Sequence, residues 1–428
     1  MRRQPEVTPP TEITHRELAL VEQKRKYELI TPLYGGGVTT HQADPISIVR
    51  ATEVRGHLRF WWRAMRGGQA EGDPEMKKRE DAIWGKAYEK GDKGIPPNQT
   101  VQIVVDVSQE GTPLKPFRMK GRTPVPINEI PGYVAFPLQP NQHERKKANP
   151  SIPDVQKGVQ FLLTISYPEH LAKEIAAALW AWETFGGLGG RTRRGFGALH
   201  LLSIDDIPDQ SLPASHDVKR WIQDEARKHL KGGSFLAGLP HLTNDLQLAL
   251  TAPTDNPMRA WNTLVRKLQD FRLQKDEHNR SAWPEADAIR RIDGKRTKNS
   301  PPSPEVFPRA AFGLPILFHF TGNDAPGDYT LNEADTESEV LESKERFASP
   351  LILRPFLCRD KRAVGLALLL EGSRVDLQQL VLQDKEKKLE PVDGMLTEGE
   401  ARLLTRRLTV LRNETDVLQA FMQWFKGV

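Results

Sequence analysis

One cysteine, Cys358, is all that the 428 residues contain. That excludes an intrachain disulfide and any zinc site built from several thiolates, and it suits a reducing compartment. Cys358 itself reads as a small buried apolar residue. No apolar run approaches the roughly 18 residues of a membrane span, and no apolar signal segment follows "MRRQPEV". The expected address is therefore the cytoplasm, without a membrane partner. The eleven histidines are scattered, no H-E-x-x-H occurs, and the Asp205–Asp206 pair falls in a polar connecting stretch. Neither a metal nor another cofactor is expected. Nucleotide-binding loops are missing as well. Gly190 to Gly195 has P-loop spacing, but Phe196 stands where the phosphate-reaching lysine belongs, and no G-x-G-x-x-G follows a strand. A net charge of only +5 excludes a general polycation, so an anion site has to come from local clustering.

What is present describes a soluble globular chain, 38% hydrophobic and 27% charged, long enough for two or three domains. "YELITPLYGGG" reads as a short strand running into a glycine turn, and "VRATEVRGHLRFWWRAMRGG" as a helix stopped by Gly67 and Gly68. "TVQIVVDVS" and "VQFLLTISYP" are β-branched strand candidates, with "GYVAFPLQ" a weaker one between them. In "PEHLAKEIAAALWAWETFGG", Leu171, Ile175, Leu179 and Trp182 recur at helical spacing, and "GALHLLSI" is a closing strand. Strand, helix, strand, strand, helix, strand is the ferredoxin-like (RRM-like, βαββαβ) order. The predicted fold class is α+β: two such domains with long loop insertions, the second degenerate. The proline- and lysine-rich stretch from Met119 to Gly158 reads as surface loops.

The polar, proline-bearing stretch "IDDIPDQSLPASHD" marks the expected boundary, giving domains 1–212 and 213–428. In the second half, "MRAWNTLVRKLQDFRL" is an amphipathic helix, and "GLPILFHF", "PLILRPFLC" and "AVGLALLLEG" are strand candidates. Two helical patterns follow Pro391, and "TGNDAPGDYTLNEADTESEVLESKE" reads as an acidic mobile segment.

Two basic clusters carry the chemistry. "GGLGGRTRRGFGALH" places Arg191, Arg193 and Arg194 among Gly187, Gly189, Gly190 and Gly195, with no acidic side chain in the stretch. Such a loop is either a helix cap and turn with solvated arginines or a cradle for a polyanion, and the stretch alone leaves both open. On the first helix, Arg55, Arg59, Arg63 and Arg66 share one face, while Leu58, Trp61, Trp62 and Met65 line the other. Arg50 precedes them, lysine is absent, and Glu53 is the sole acid from Arg50 to Arg66. The planar guanidinium fork suits phosphate. Antiparallel helices are expected to send the start of the first and the end of the second to opposite ends, so contact between the clusters stays open. His57 and His41 are the histidines near basic clusters, and a metal-independent ribonuclease would need one of them.

"ITPLYGGG", the arginine helix and "GGLGGRTRRGFGAL", in that order, resemble the RAMP superfamily of CRISPR-associated RNA-binding proteins, and within it the first-subunit family of type III-B effector complexes. "WPEADAIRR" and "ASPLILRPF" are similar to family stretches in the second half. The resemblance implies a non-catalytic subunit that binds guide RNA (crRNA) near its 3′ end, with target RNA a further candidate, among other RAMP subunits in antiviral defence. It implies RNA contact by the helix face from Arg55 to Arg66 and by the loop from Gly186 to Gly197. A guide-processing endoribonuclease and a module whose arginine helix meets an acidic protein partner remain as alternatives.

Overall fold

The computed structural model describes residues 19–37, 42–44, 46–69, 73–86, 100–277, 279–295, 303–320, 325–335, 341–344 and 346–427. Strand β1 (Leu20–Leu29) leads to helices α1 (Ala51–Arg66) and α2 (Asp73–Trp84) and then to β2 (Gln102–Gln109). An insertion follows, made of β3 (Thr112–Leu114), β4 (Phe117–Lys120), β5 (Thr123–Pro126), helix α3 (Gly132–Ala135) and β6 (Val155–Lys157). Strand β7 (Gln160–Pro168), helix α4 (Ala172–Phe185), β8 (Leu199–Ile204) and β9 (Ile207–Pro208) complete the first sheet. Its order is β2-β7-β1-β8-β9, every pair antiparallel. The first and third of the four principal strands therefore lie in the middle, and α1 and α4 pack side by side.

Apolar spacing explains that packing. Val54, Leu58, Trp61, Trp62 and Met65 of α1 and Ile175, Leu179, Trp182 and Phe185 of α4 are buried in one core with Tyr27, Phe161, Leu163 and Ile165 of the sheet.

The second half runs through α5 (Val218–His229), β10 (Gln247–Leu250), α6 (Pro257–Arg272), α7 (Glu285–Ile292), β11 (Ile316–Phe318), β12 (Tyr329–Asp335), β13 (Glu342–Ser343), β14 (Leu351–Leu357), β15 (Ala363–Leu369), β16 (Leu380–Gln383), β17 (Leu389–Val392), α8 (Glu398–Thr405) and α9 (Val417–Lys426). One antiparallel sheet has the order β10-β15-β14, and another the order β11-β12-β16-β17 with β13 paired to β12. Ile352 and Phe356 of β14 and Val364, Leu366 and Leu368 of β15 join the core of the first sheet, so one apolar interior runs through both halves. The architecture is mixed α and β with antiparallel sheets. Among the described residues no helix is long and apolar enough to cross a membrane.

Three expectations need correction. "GYVAFPLQ" is not a strand: it forms α3 and a 3-10 turn, Phe136–Leu138. Val134, Ala135 and Leu138 are buried at helical rather than alternating spacing, and Pro137 could not donate to a ladder. The stretch from Met119 to Gly158 is more than surface loop, because Phe117, Ile130, Val134, Leu138, Ile152 and Val155 build their own core with Tyr34, Phe196, Trp261 and Val265. The acidic segment contains β12, where Tyr329, Leu331, Asn332, Glu333 and Ala334 are buried between β11 and β16.

Candidate nucleic-acid interface

Helices α1 and α4 run antiparallel, and this places the start of α1 beside the end of α4, the reverse of the expected separation. At one end, Trp62 Nε1 donates to Glu174 Oε2 at 2.8 Å and Arg66 Nη2 to the Lys173 carbonyl at 2.9 Å. At the other, the Gly189 N–H donates to Glu53 Oε1 at 2.6 Å. The two basic clusters are thereby joined through the single acid of the α1 stretch. Arg50, the residue before α1, donates from Nη2 to the Gly36 carbonyl. The Gly35–Gly37 turn, the start of α1 and the glycine–arginine loop thus meet at one end of the first sheet.

The loop is tightly constrained. The Leu188 N–H donates to the Gly197 carbonyl at 2.9 Å and the Gly190 N–H to the Tyr34 carbonyl at 2.6 Å. Gly187 bridges Ala198. Gly189 has φ +76°, and a Cβ there would lie 2.6 Å from the Tyr34 carbonyl oxygen. Glycine is required by both the left-handed backbone and the close approach. The N–H groups of Gly189 and Gly190 are therefore committed to the protein's own acceptors, and neither is offered to an external anion.

Arg191, at φ +57°, donates from Nε to the Val134 carbonyl at 2.9 Å, with its guanidinium 5.0 Å from the ring centre of Phe136, an exposed aromatic. Arg193 donates to the Ser349 carbonyl and lies 5.4 Å from the ring centre of Phe60. Arg194 is turned inward. Its Nη1 reaches the Leu351 carbonyl at 2.8 Å, its Nη2 the Phe312 carbonyl at 3.3 Å, and its own carbonyl accepts Trp261 Nε1 at 2.7 Å. Burial, then the charges of Arg272 and Arg191, push its guanidinium down to about 9. At neutral pH it is still a cation, held by carbonyl oxygens. Burial also lowers Arg191 and Arg193.

The α1 arginines face the chain itself. Arg55 Nη1 donates to the Trp84 carbonyl at 2.6 Å, while Arg59 Nε and Arg63 Nη1 both reach Glu80 Oε1 at 2.6 Å. Asp81 lies 3.6 Å from Arg59. Glu80, only 3% exposed, belongs to α2, a helix that sequence reasoning does not anticipate. Arg66 is 4% exposed and packs against α4. The expectation of a helix face open to a polyanion is therefore corrected: α2 covers it with carboxylates. Met76, Ile83 and Trp84, buried at helical spacing, are the readable sign of α2.

Arg346 is a further cation that sequence reasoning passes over. It is exposed and close enough to Arg191 and Tyr34 to affect their ionisation. His57 Nε2 stands 3.8 Å from Glu53 Oε1. His41 lies outside the described residues. Arg50, Arg191, Arg193 and Arg346, with Phe136 and Phe60, are among the cationic and aromatic groups gathered at this end.

The RAMP superfamily model matches residues 26–200, from β1 into β8. The chain also resembles the CRISPR system Cmr subunit Cmr1-2 of Pyrococcus furiosus, being 26% identical to it over 186 residues, 42% of this chain and 95% of that protein. Among solved structures it is similar to Cmr1 from Pyrococcus furiosus in the apo form, at 17% identity and a TM-score of 0.44, covering 82% of this chain and 88% of that one. It is also similar to a chain of the type III-B Cmr-beta complex bound to cognate target RNA and AMPPnP, at 12% identity and a TM-score of 0.48, covering 96% of this chain and all of that one.

Proposed function

We propose that this protein is a non-catalytic, cytoplasmic RNA-binding subunit of a type III-B CRISPR effector complex. It contacts guide RNA near its 3′ end, with target RNA and other RAMP subunits as partners. The match of residues 26–200 to the RAMP superfamily model and the likeness to a Cmr subunit support membership of such a complex. The observation that carries RNA contact is the convergence of the Gly35–Gly37 turn, the start of α1 and the glycine–arginine loop. Around it lie Arg50, Arg191 and Arg193, the exposed Arg346 and the exposed ring of Phe136. Guanidiniums contact phosphate without reading sequence, and an exposed ring offers a base a stacking surface.

The non-catalytic part rests on the same chemistry. The cations here are arginines, which do not give up protons, and Glu53 is committed to the Gly189 N–H. We read the segments 1–212 and 213–428 as two ferredoxin-like domains. The first has its four principal strands in the order β2-β7-β1-β8; the second has β10-β15-β14 with α6 as crossover.

The test is titration of single-stranded RNA against the wild type and the triple variant Arg50→Gln, Arg191→Gln, Arg193→Gln at several salt concentrations, with the RNA afterwards run on a denaturing gel. Intact RNA and a shallower salt dependence in the folded variant are expected. Specific cleavage that Glu53→Gln or His57→Ala abolishes would return the protein to the nucleases.

A further inference from the structure

A cavity of about 240 Å³ lies between the two halves, and none of the loop residues from Gly186 to Gly197 line it. Strands β1, β8 and β14 and helices α4 and α5 contribute to its wall. Half-buried Trp221 and exposed Ser211 line it, so it opens to solvent.

Its charges are internally matched. Arg25 makes two hydrogen bonds to the Glu183 carboxylate, 3.0 and 3.1 Å, and Tyr27 donates a third at 2.5 Å. Glu225 takes Lys228 at 2.6 Å and lies 3.5 Å from His229. Burial and the charge of Arg354 push His200 down to about 4, so it is neutral at physiological pH. Two lining groups remain unmatched. Trp180, 7% exposed, has a buried Nε1–H with no acceptor, and Asp209 has a buried Oδ2 with no donor, its Oδ1 already accepting the Ser211 N–H at 3.0 Å. Buried polar groups in native proteins are almost always partnered, by protein, water or ligand, so a molecule entering this cavity would meet one donor and one acceptor that no protein group occupies.

The lining restricts the guest's chemistry. Trp180, with His229 stacked on it at 5.4 Å, and Trp221, tilted against Phe356, make aromatic walls that favour a flat ring. Among the described lining residues a phosphate has no uncommitted cation to meet, and a simple cation offers the Trp180 N–H no acceptor. A neutral heteroaromatic ring with both an acceptor and an N–H donor satisfies both groups. We propose that this cavity binds a nucleobase, with Trp180 Nε1–H donating to a ring nitrogen or carbonyl of the base and Asp209 Oδ2 accepting one of its N–H groups. The base arrives either as a free nucleoside or, on the RNA-binding reading above, as a nucleotide extruded from a bound strand.

The experiment uses the full chain labelled with ¹⁵N at its nine tryptophans, the Trp180 indole signal being assigned from Trp180→Phe. Guanosine, adenosine, cytidine, uridine and a short mixed-sequence RNA are the probes. At least one nucleoside, or the RNA, should shift that signal, and Asp209→Asn should weaken the interaction by about tenfold or more. Calorimetry on Asp209→Asn alone carries the test should Trp180→Phe fail to fold. A shift with RNA but not with any nucleoside assigns the base to the strand, and the converse assigns it to a free ligand. No shift with any probe, or unchanged affinity in folded Asp209→Asn, overturns the proposal. Filter binding of the same RNA separates this from the RNA-binding reading: retained RNA with a silent Trp180 sinks the cavity alone, while a nucleoside shift without RNA binding sinks the other.

Discussion

Glu53 accepts the N–H of Gly189 at 2.6 Å, across 136 positions of sequence. The bond fixes the start of α1 to the loop after α4, and it makes the one acid of a basic stretch an internal fastener. Glu53→Gln keeps an oxygen acceptor and should leave the fold near wild type. Glu53→Ala loses a charge-assisted bond and should cost on the order of 1.5–3 kcal/mol. Thermal or urea unfolding of the two variants side by side measures this, and equal stability would show that the bond holds nothing.

Glu80 meets Arg59 and Arg63 from α2, so these two arginines are expected to serve stability rather than ligand binding. Arg59→Gln with Arg63→Gln should lower the melting temperature and leave RNA affinity within about twofold, well under the tenfold that 1.4 kcal/mol represents. The loss should be large, about 3 kcal/mol, because Glu80 is buried and would be left without either cation, although both guanidiniums are themselves partly exposed. A large fall in affinity in the folded variant would put that face back on RNA.

The loop arginines should divide. Replacing Arg191 or Arg193 with glutamine is expected to flatten the log–log salt dependence of RNA binding by about 0.7 for each phosphate that the guanidinium neutralises. Arg194→Met should leave that slope unchanged and reduce stability, since its guanidinium serves the carbonyls of Leu351 and Phe312. Gly189→Val should likewise fail as a fold defect, its side chain colliding with Tyr34. Salt titrations paired with circular dichroism distinguish the two kinds of loss.

How much of this is legible in the sequence follows from what each residue does. Helices α1 and α4 can be read because their apolar residues repeat at helical spacing and glycines end them. The loop's composition is equally plain. Its partners are not, because Tyr34, Val134, Trp261 and Ser349 approach it from four distant segments that no local period connects. Helix α2 escapes notice because its low overall apolarity hides three buried residues, and with it go the acids that match the arginines. Phe136 reads as a strand residue, since a short helix between prolines has too few turns to show a period.

Acid should weaken the fold through His200. Its folded value of about 4 lies below the ordinary 6.5, so its contribution is complete above pH 6.5 and is lost as pH falls through 4. His229 is lowered in the same sense. Stability measured from pH 7 to 4 should decline, and His200→Gln should remove on the order of 3 kcal/mol of that decline. Parallel curves for wild type and variant would show that His200 titrates normally.

Arg354, fully buried on β14, donates to the carbonyls of Thr184 and Leu199, while Arg194 reaches β14 in the other direction. These clasps are chain-to-chain bonds that do not depend on the covalent path between residues 205 and 217. A protease nick engineered there should leave a single particle on gel filtration, and the two pieces made separately should find each other when mixed. The peptide linkage would then be a matter of delivery, keeping equal numbers of two parts that already fit.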